Sequence, residues 1–168
     1  MSIMRGTVRA FGDGIDTDII IPARHLVLPL DDMKQWAMDP IRPGFAAEVH
    51  PGDIIVAGRN FGCGSSREQA PVVLREIGIA AIVAVSFARI FFRNAINVGL
   101  PVIECAAVHG SAQEGDEAEI DLAEGTVRIT GNDRAFSSTR LPAFLMEILN
   151  DGGLIPHLAG RGTSHGPA

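Results

Sequence analysis

The sequence predicts one α/β domain built on a parallel sheet, and three observations predict it. The chain has 168 residues, the size of a single domain of roughly 100–200 residues. The hydrophobic fraction is 46% and the mean hydropathy is +0.22, which excludes a disordered chain. The middle of the sequence reads strand, helix, strand, helix, strand, the order that gives parallel strands joined by right-handed crossovers.

Each element follows from its residues. Ile3 to Phe11 alternates weakly and predicts a strand. Gly12 and Gly14 predict a turn, and Asp13, Asp16 and Asp18 crowd into the same segment. Ile19-Ile20-Ile21 predicts a short buried strand that stops at Pro22. Residues 23–52 read as irregular, broken by Pro29, Pro40, Pro43 and Pro51, and a loop this long is often functional. Asp53–Ala57 is a strand, and a glycine-rich loop leads from it into a helix that ends near Ile77 with Gly78 as its stop.

Ala80–Val85 predicts a second buried strand, and Ser86 can cap a helix with Phe87, Ile90, Phe91, Ala95 and Val98 on its apolar face. Gly99 and Pro101 end it, and Pro101–Glu104 is a third strand. Residues 118–129 alternate about a turn at Glu124-Gly125 and predict a hairpin. A last helix carries Leu141, Phe144, Leu145, Ile148 and Leu149 on one face, with Pro142 in its first turn. The domain is expected to span 1–160, with 161–168 as a flexible tail.

Composition narrows the function. Of the 14 basic residues only Lys34 is a lysine, and the net charge is −6, which argues against nucleic acid as a partner. Two cysteines, Cys63 and Cys105, are too few for a disulfide framework or for a four-ligand metal site, so no metal is expected on this chain. The N-terminus has no apolar run of the signal-peptide kind, and no stretch is long enough to span a membrane; the expected location is the cytoplasm.

The chemistry sits in residues 58–71, GRNFGCGSSREQAP. Glycines let a ligand approach the backbone, and a helix N-terminus attracts an anion. The loop lacks the lysine of a phosphate-binding Walker loop, and Arg67 stands where a dinucleotide fingerprint needs its third glycine. What remains is Ser65 and Ser66 beside Arg67, whose fork matches a carboxylate. A capped helix with a surface arginine explains the same residues. Ser66 and Gln69 have capping-box spacing, but Pro71 suggests that the helix begins later and leaves 65–67 as turns. Cys63 as a nucleophile would need a histidine partner, and His25, His50, His109, His157 and His165 form no thiol-enzyme signature with it. The acids of GIDTD fit turn and capping chemistry, or a metal or base.

GDGIDTDIIIPARHL (12–26) and GRNFGCGSSREQAP (58–71), about 45 residues apart, resemble the small subunit of 3-isopropylmalate dehydratase, the swivelling domain of the aconitase superfamily. The resemblance covers roughly residues 3–158. It implies a swivelling β/β/α domain as in the aconitase C-terminal domain. It implies a hydro-lyase that isomerises 2-isopropylmalate to 3-isopropylmalate by dehydration and rehydration. It also implies an iron–sulfur large subunit as partner, which would carry the [4Fe–4S] cluster. Ser65 would be the base, Asp18 a supporting acid, and Arg67 the grip on a substrate carboxylate, with Ser66 and the Gly64 backbone assisting. Gln69 stands where the family has histidine. In the segment HLVLP (25–29), His25 and Val27 replace the tyrosine and arginine of the isopropylmalate pattern. Val27, at the position that helps choose the substrate side chain, keeps a homoaconitase-type or a methyl- or dimethylmalate dehydratase open as the alternative.

Overall fold

The computed structural model describes residues 3–162. Seven strands form one sheet in the order β4-β3-β2-β1-β5-β6-β7. Four are parallel: β1 (Ile3–Ala10), β2 (Ile54–Ala57), β3 (Ala81–Ala84) and β4 (Val102–Glu104). On the other side of β1 the sheet turns antiparallel through β5 (Glu117–Asp121), β6 (Thr126–Ile129) and β7 (Arg134–Ser137). The architecture is thus a mixed α/β sheet with helices and not a purely parallel one. β7 and the pairing of β5 with β1 are additions to the predicted hairpin.

The parallel strands are apolar throughout because both faces are covered. Ile55, Ala57, Ile82 and Ala84 point into a core shared with helices α4 (Gln69–Glu76) and α5 (Arg89–Asn97), which supply Val73, Leu74, Phe91 and Ile96. Their neighbours Ile54, Val56, Ala81 and Val83 point into a second core. There they meet Ala118 and Ile120 of β5 and Val127 and Ile129 of β6. The sheet therefore curls into a half-barrel.

Several local expectations change. Ile19–Ile21 is not a strand: α1 (Thr17–Ile20) is a helical turn. The Asp16 carboxylate accepts the Ile19 N–H at 2.8 Å and caps it, while Ile20 and Ile21 are buried in the first core. A cap and burial together outweigh the β preference of three isoleucines. The stretch 23–52 is not structureless. It holds 3-10 turns at Ala23–His25 and Lys34–Trp36 and the short helices α2 (Leu30–Met33) and α3 (Phe45–Glu48). Met33, Met38 and Phe45 anchor it to the core.

Ser86 does not cap α5, whose N-cap is Ala88. Its hydroxyl instead accepts the Asn60 N–H at 2.9 Å. Ser66 does not cap α4 either; the N-cap is Glu68 and no side chain caps it. The last predicted helix is α6 (Ala143–Asn150), preceded by Pro142 as its N-cap. A further helix, α7 (Leu154–Gly162), runs two residues into the expected tail, and 163–168 lie outside the described residues. No described helix is long and apolar enough to cross a membrane.

Candidate functional site

The two distinctive sequence segments lie side by side as one backbone ladder. Gly58 N–H donates to Gly12 O at 3.0 Å, Gly14 N–H to Arg59 O at 2.9 Å, Gly62 N–H to Ile15 O at 2.7 Å and Thr17 N–H to Cys63 O at 2.8 Å. The Asp13 carboxylate adds a bond from Arg59 N–H at 2.7 Å. Gly58 has to be glycine, because a Cβ would overlap that carboxylate. The acids of GIDTD therefore divide their work: Asp13 ties the loops together, Asp16 caps α1, and Asp18 is left for the site.

The third wall is the start of α5. Phe61 N–H donates to Ser86 O at 3.0 Å and Ala88 N–H donates back to Phe61 O at 2.9 Å. Gly62 has φ +80°, and a Cβ there would overlap the Phe91 ring. With Gly62 the helix can rest directly on the loop.

These contacts enclose a cleft of about 320 Å³ lined by Thr17, Gly62, Gly64, Ser65, Ser66 and Arg67 on one side and by residues 88–91 and Asn94 of α5 on the other. Arg67 is held rigidly. Its Nη1 donates to the Asp18 carboxylate at 2.6 Å and to the Ile21 carbonyl at 2.9 Å, and its side chain is only 13% exposed. Nε and Nη2 have no partner among the described residues, so one full edge of the fork remains for a carboxylate. Ser65 and Ser66 are exposed at the cleft, and neither hydroxyl has a partner among the described residues. The Arg67 N–H bonds the Ser65 carbonyl at 2.9 Å, so 65–67 form a tight turn before α4.

Five of the predicted site residues thus converge: Gly64, Ser65, Ser66 and Arg67 line the cleft, and Asp18 touches Arg67. Val27 does not line it; the side chain is 87% exposed, on the segment that follows the Ala23–His25 turn. In that segment His25 stacks on Trp36 with ring centres 4.3 Å apart. Burial, then the charge of Arg24, pushes the His25 imidazole below its ordinary pKa, against the pull of Asp39. Its Nε2 is buried without a partner.

Sequence reasoning missed Thr17, Arg89, Ile90 and Asn94 as cleft residues. The one signal available was that the helix after the next parallel strand begins at the same sheet end as the loop. A larger apolar groove of about 630 Å³ lies between α5 and α6, but it contains neither serine and not Arg67. Among the described residues no three of His, Cys, Asp and Glu converge on a point fit for a metal ion. Cys63 is half-buried on the loop and Cys105 is buried beyond β4.

Comparison with known proteins shows the family of the chain. Residues 41–107 match the model of the aconitase C-terminal domain. The chain is 50% identical over 158 residues to the isopropylmalate/citramalate isomerase small subunit of Methanocaldococcus jannaschii, covering 94% of each. It is 48% identical to the 3-isopropylmalate dehydratase small subunit of Halothermothrix orenii, over 94% of this chain and 96% of that one. It is 54% identical to the methanogen homoaconitase small subunit of Methanothermobacter thermautotrophicus, over 92% and 90%. Among solved structures, that of 3-isopropylmalate dehydratase (leuD) from Methanocaldococcus jannaschii superposes with a TM-score of 0.90 at 42% identity, covering 96% of both chains.

Proposed function

Because the chain belongs to the small subunits of 3-isopropylmalate dehydratase-type hydro-lyases, in the aconitase superfamily, we propose that it completes a heteromeric enzyme interconverting 2-isopropylmalate and 3-isopropylmalate. The observation that carries the reading is the cleft in which Ser65, Ser66 and the open edge of Arg67 meet.

Each residue then has a task. Arg67 grips a substrate carboxylate through Nε and Nη2 while Asp18 and the Ile21 carbonyl fix its plane. The Ser65 oxygen, acting as the alkoxide, removes the proton from the carbon beside that carboxylate. The electron pair left behind becomes the double bond as the hydroxyl departs, protonated to water by an acid that the partner subunit would supply. Rehydration reverses the transfer, and Ser65 returns its proton, so one group acts in both directions. Ser66 and the Gly64 backbone position the acid. Val27 lies outside the cleft; in this reading it meets the substrate side chain once a partner covers the site.

Loss of the hydroxyl needs an electrophile. Among the described residues no three of His, Cys, Asp and Glu converge and there are only two cysteines, a donor set that does not fit an iron–sulfur cluster, so the partner large subunit is its proposed bearer. Bound there, a [4Fe–4S] cluster supplies Lewis-acid polarisation of the departing oxygen. A cytoplasmic assembly is the setting that fits.

A second reading has its own support. Val27 offers an apolar surface where the isopropylmalate pattern has arginine, and one relative named as a homoaconitase small subunit is 54% identical. The substrate would then be a homoaconitase-type acid or a methyl- or dimethylmalate. The test is anaerobic: this chain is mixed with the large subunit, and enoic acid formation is followed by ultraviolet absorbance on each candidate acid. Each subunit alone is the control. Isopropylmalate turnover needing both chains, and falling by about 10²- to 10⁴-fold in Ser65→Ala, supports the first reading. Turnover only of another acid moves the substrate and keeps the mechanism. Full activity of Ser65→Ala sinks the serine base.

A further inference from the structure

The wall of the cleft facing the serines carries its own anion-binding chemistry. At the start of α5 the N–H groups of Arg89, Ile90 and Phe91 have no acceptor among the described residues, and no side chain caps the helix. The helix has nine residues, so its N-terminus carries a partial positive charge. Arg89, the first residue of α5, lines the cleft and has no carboxylate within ion-pair distance among the described residues. The other arginine that lines the cleft, Arg67, is paired with Asp18.

An independent observation points to a ligand. Thr17 is 2% exposed and lines the same cleft, yet its Oγ1 has no hydrogen-bond partner. A buried hydroxyl without a partner is destabilising unless something arrives to bond it. A Cβ on Gly64 would stand 3.3 Å from this oxygen, so Thr17 Oγ1 lies against the loop at Gly64, which also lines the cleft. The charge balance agrees. The chain carries −6 overall, but the cleft is lined by two arginines and by no Asp or Glu.

We infer that the α5 N-terminus and Arg89 on one wall, with Thr17 across from them, form a second carboxylate subsite in the cleft that holds Arg67, so that this chain alone grips both ends of a dicarboxylic hydroxy acid. The inference rests on the proposed function for the identity of the substrate, but the subsite itself does not depend on turnover. Arg67 sets the carboxylate beside the reacting carbon. Arg89 and the free N–H groups hold the distal one, and the Thr17 hydroxyl donates to the acid bound between them. A dicarboxylate would then be selected over a monocarboxylate by this subunit.

Two measurements test it. In the first, the full chain labelled with nitrogen-15 is titrated with succinate, with acetate as the single-carboxylate control. The amide signals of Arg89, Ile90 and Phe91 should shift saturably with succinate in the millimolar range. Arg89→Gln should weaken this about tenfold. Thr17→Val, which keeps the shape and removes the orphaned oxygen, should fold at least as stably yet bind less; Thr17→Ser should retain binding. No shift at residues 89–91, or equal binding in Arg89→Gln, overturns the subsite. In the second, the two-subunit enzyme carrying Arg89→Gln should show KM raised about tenfold with kcat little changed. An unchanged KM in an active enzyme also overturns the subsite. An inactive wild-type complex would overturn the proposed function instead, and the titration would still decide the subsite.

Discussion

One nitrogen of Arg67 holds two acceptors, the Asp18 carboxylate at 2.6 Å and the Ile21 carbonyl at 2.9 Å. Both hydrogens of Nη1 are spent on the protein, so the Nε and Nη2 edge is presented in one orientation. Asp18 is 63% exposed, and the pair's value lies in aiming the fork more than in stabilising the fold. Asp18→Asn should raise KM about tenfold in the two-subunit enzyme. Asp18→Ala should raise it further, with the melting temperature nearly unchanged. A normal KM in Asp18→Ala would show that the Ile21 carbonyl is sufficient.

Gly62 should tolerate no side chain. Its φ of +80° disfavours an L-residue, and a Cβ would overlap the Phe91 ring. Gly62→Ala should cost about 3 kcal/mol, combining left-handed strain with overpacking. Denaturant unfolding measures this. A cost close to zero would mean that α5 can lift off the loop.

The two thiols should separate by reactivity. Burial pushes the Cys105 thiol up from its ordinary pKa, against bonds from the backbone of Val108 and Ala107, and the residue is 2% exposed. Cys63 is half-buried on the loop. At neutral pH iodoacetamide should label Cys63 and spare Cys105, as mass spectrometry would show. Cys63→Ala should leave dehydration intact, since the loop uses that residue's carbonyl and not its sulfur. Loss of activity in that variant would revive a thiol mechanism.

Glu114 links residues far apart in sequence. It accepts from the Ala10 N–H at 2.6 Å, from Arg42 at 2.9 Å and from Arg9 at 3.3 Å. Burial alone would raise its pKa, but these donors outweigh it and hold the carboxyl below the ordinary 4.5. A carboxylate with a lowered folded pKa contributes stability that is complete above the unfolded value and disappears as pH falls through the folded one. Its side chain is 40% exposed, so solvent screening limits the effect. Glu114→Gln should cost about 1 kcal/mol at neutral pH. The gap should close as pH drops below 4.5, which unfolding curves across that range would reveal. A gap that persists in acid would assign the cost to packing.

Much of the fold is legible where both faces of a strand are buried. Ile54–Ala57 and Ala81–Ala84 read directly as strands, and the spacing in Phe91, Ala95 and Ile96 reads as a helix. The loop from Gly58 to Arg67 is equally legible, because glycines, serines and arginine in that order have few other uses. Failures arise where distant hydrogen bonds decide. Ser86 looks like a helix cap, but its oxygen is taken by Asn60, 26 residues earlier. Ile19–Ile21 looks like a strand until Asp16 caps it. Thr17 and Arg89 carry no local mark at all; only the fold brings them to one cleft.

The ladder from Gly12–Gly58 to Thr17–Cys63 is made of main-chain bonds. Such bonds are indifferent to most side chains, so the spatial frame of the reaction is inherited with the backbone. The segment carrying His25, Val27 and Trp36 lies beyond that ladder and outside the cleft. Two parts of one chain can therefore evolve at different rates. If that segment chooses the substrate, as proposed, it can drift while the ladder holds the reacting groups in place.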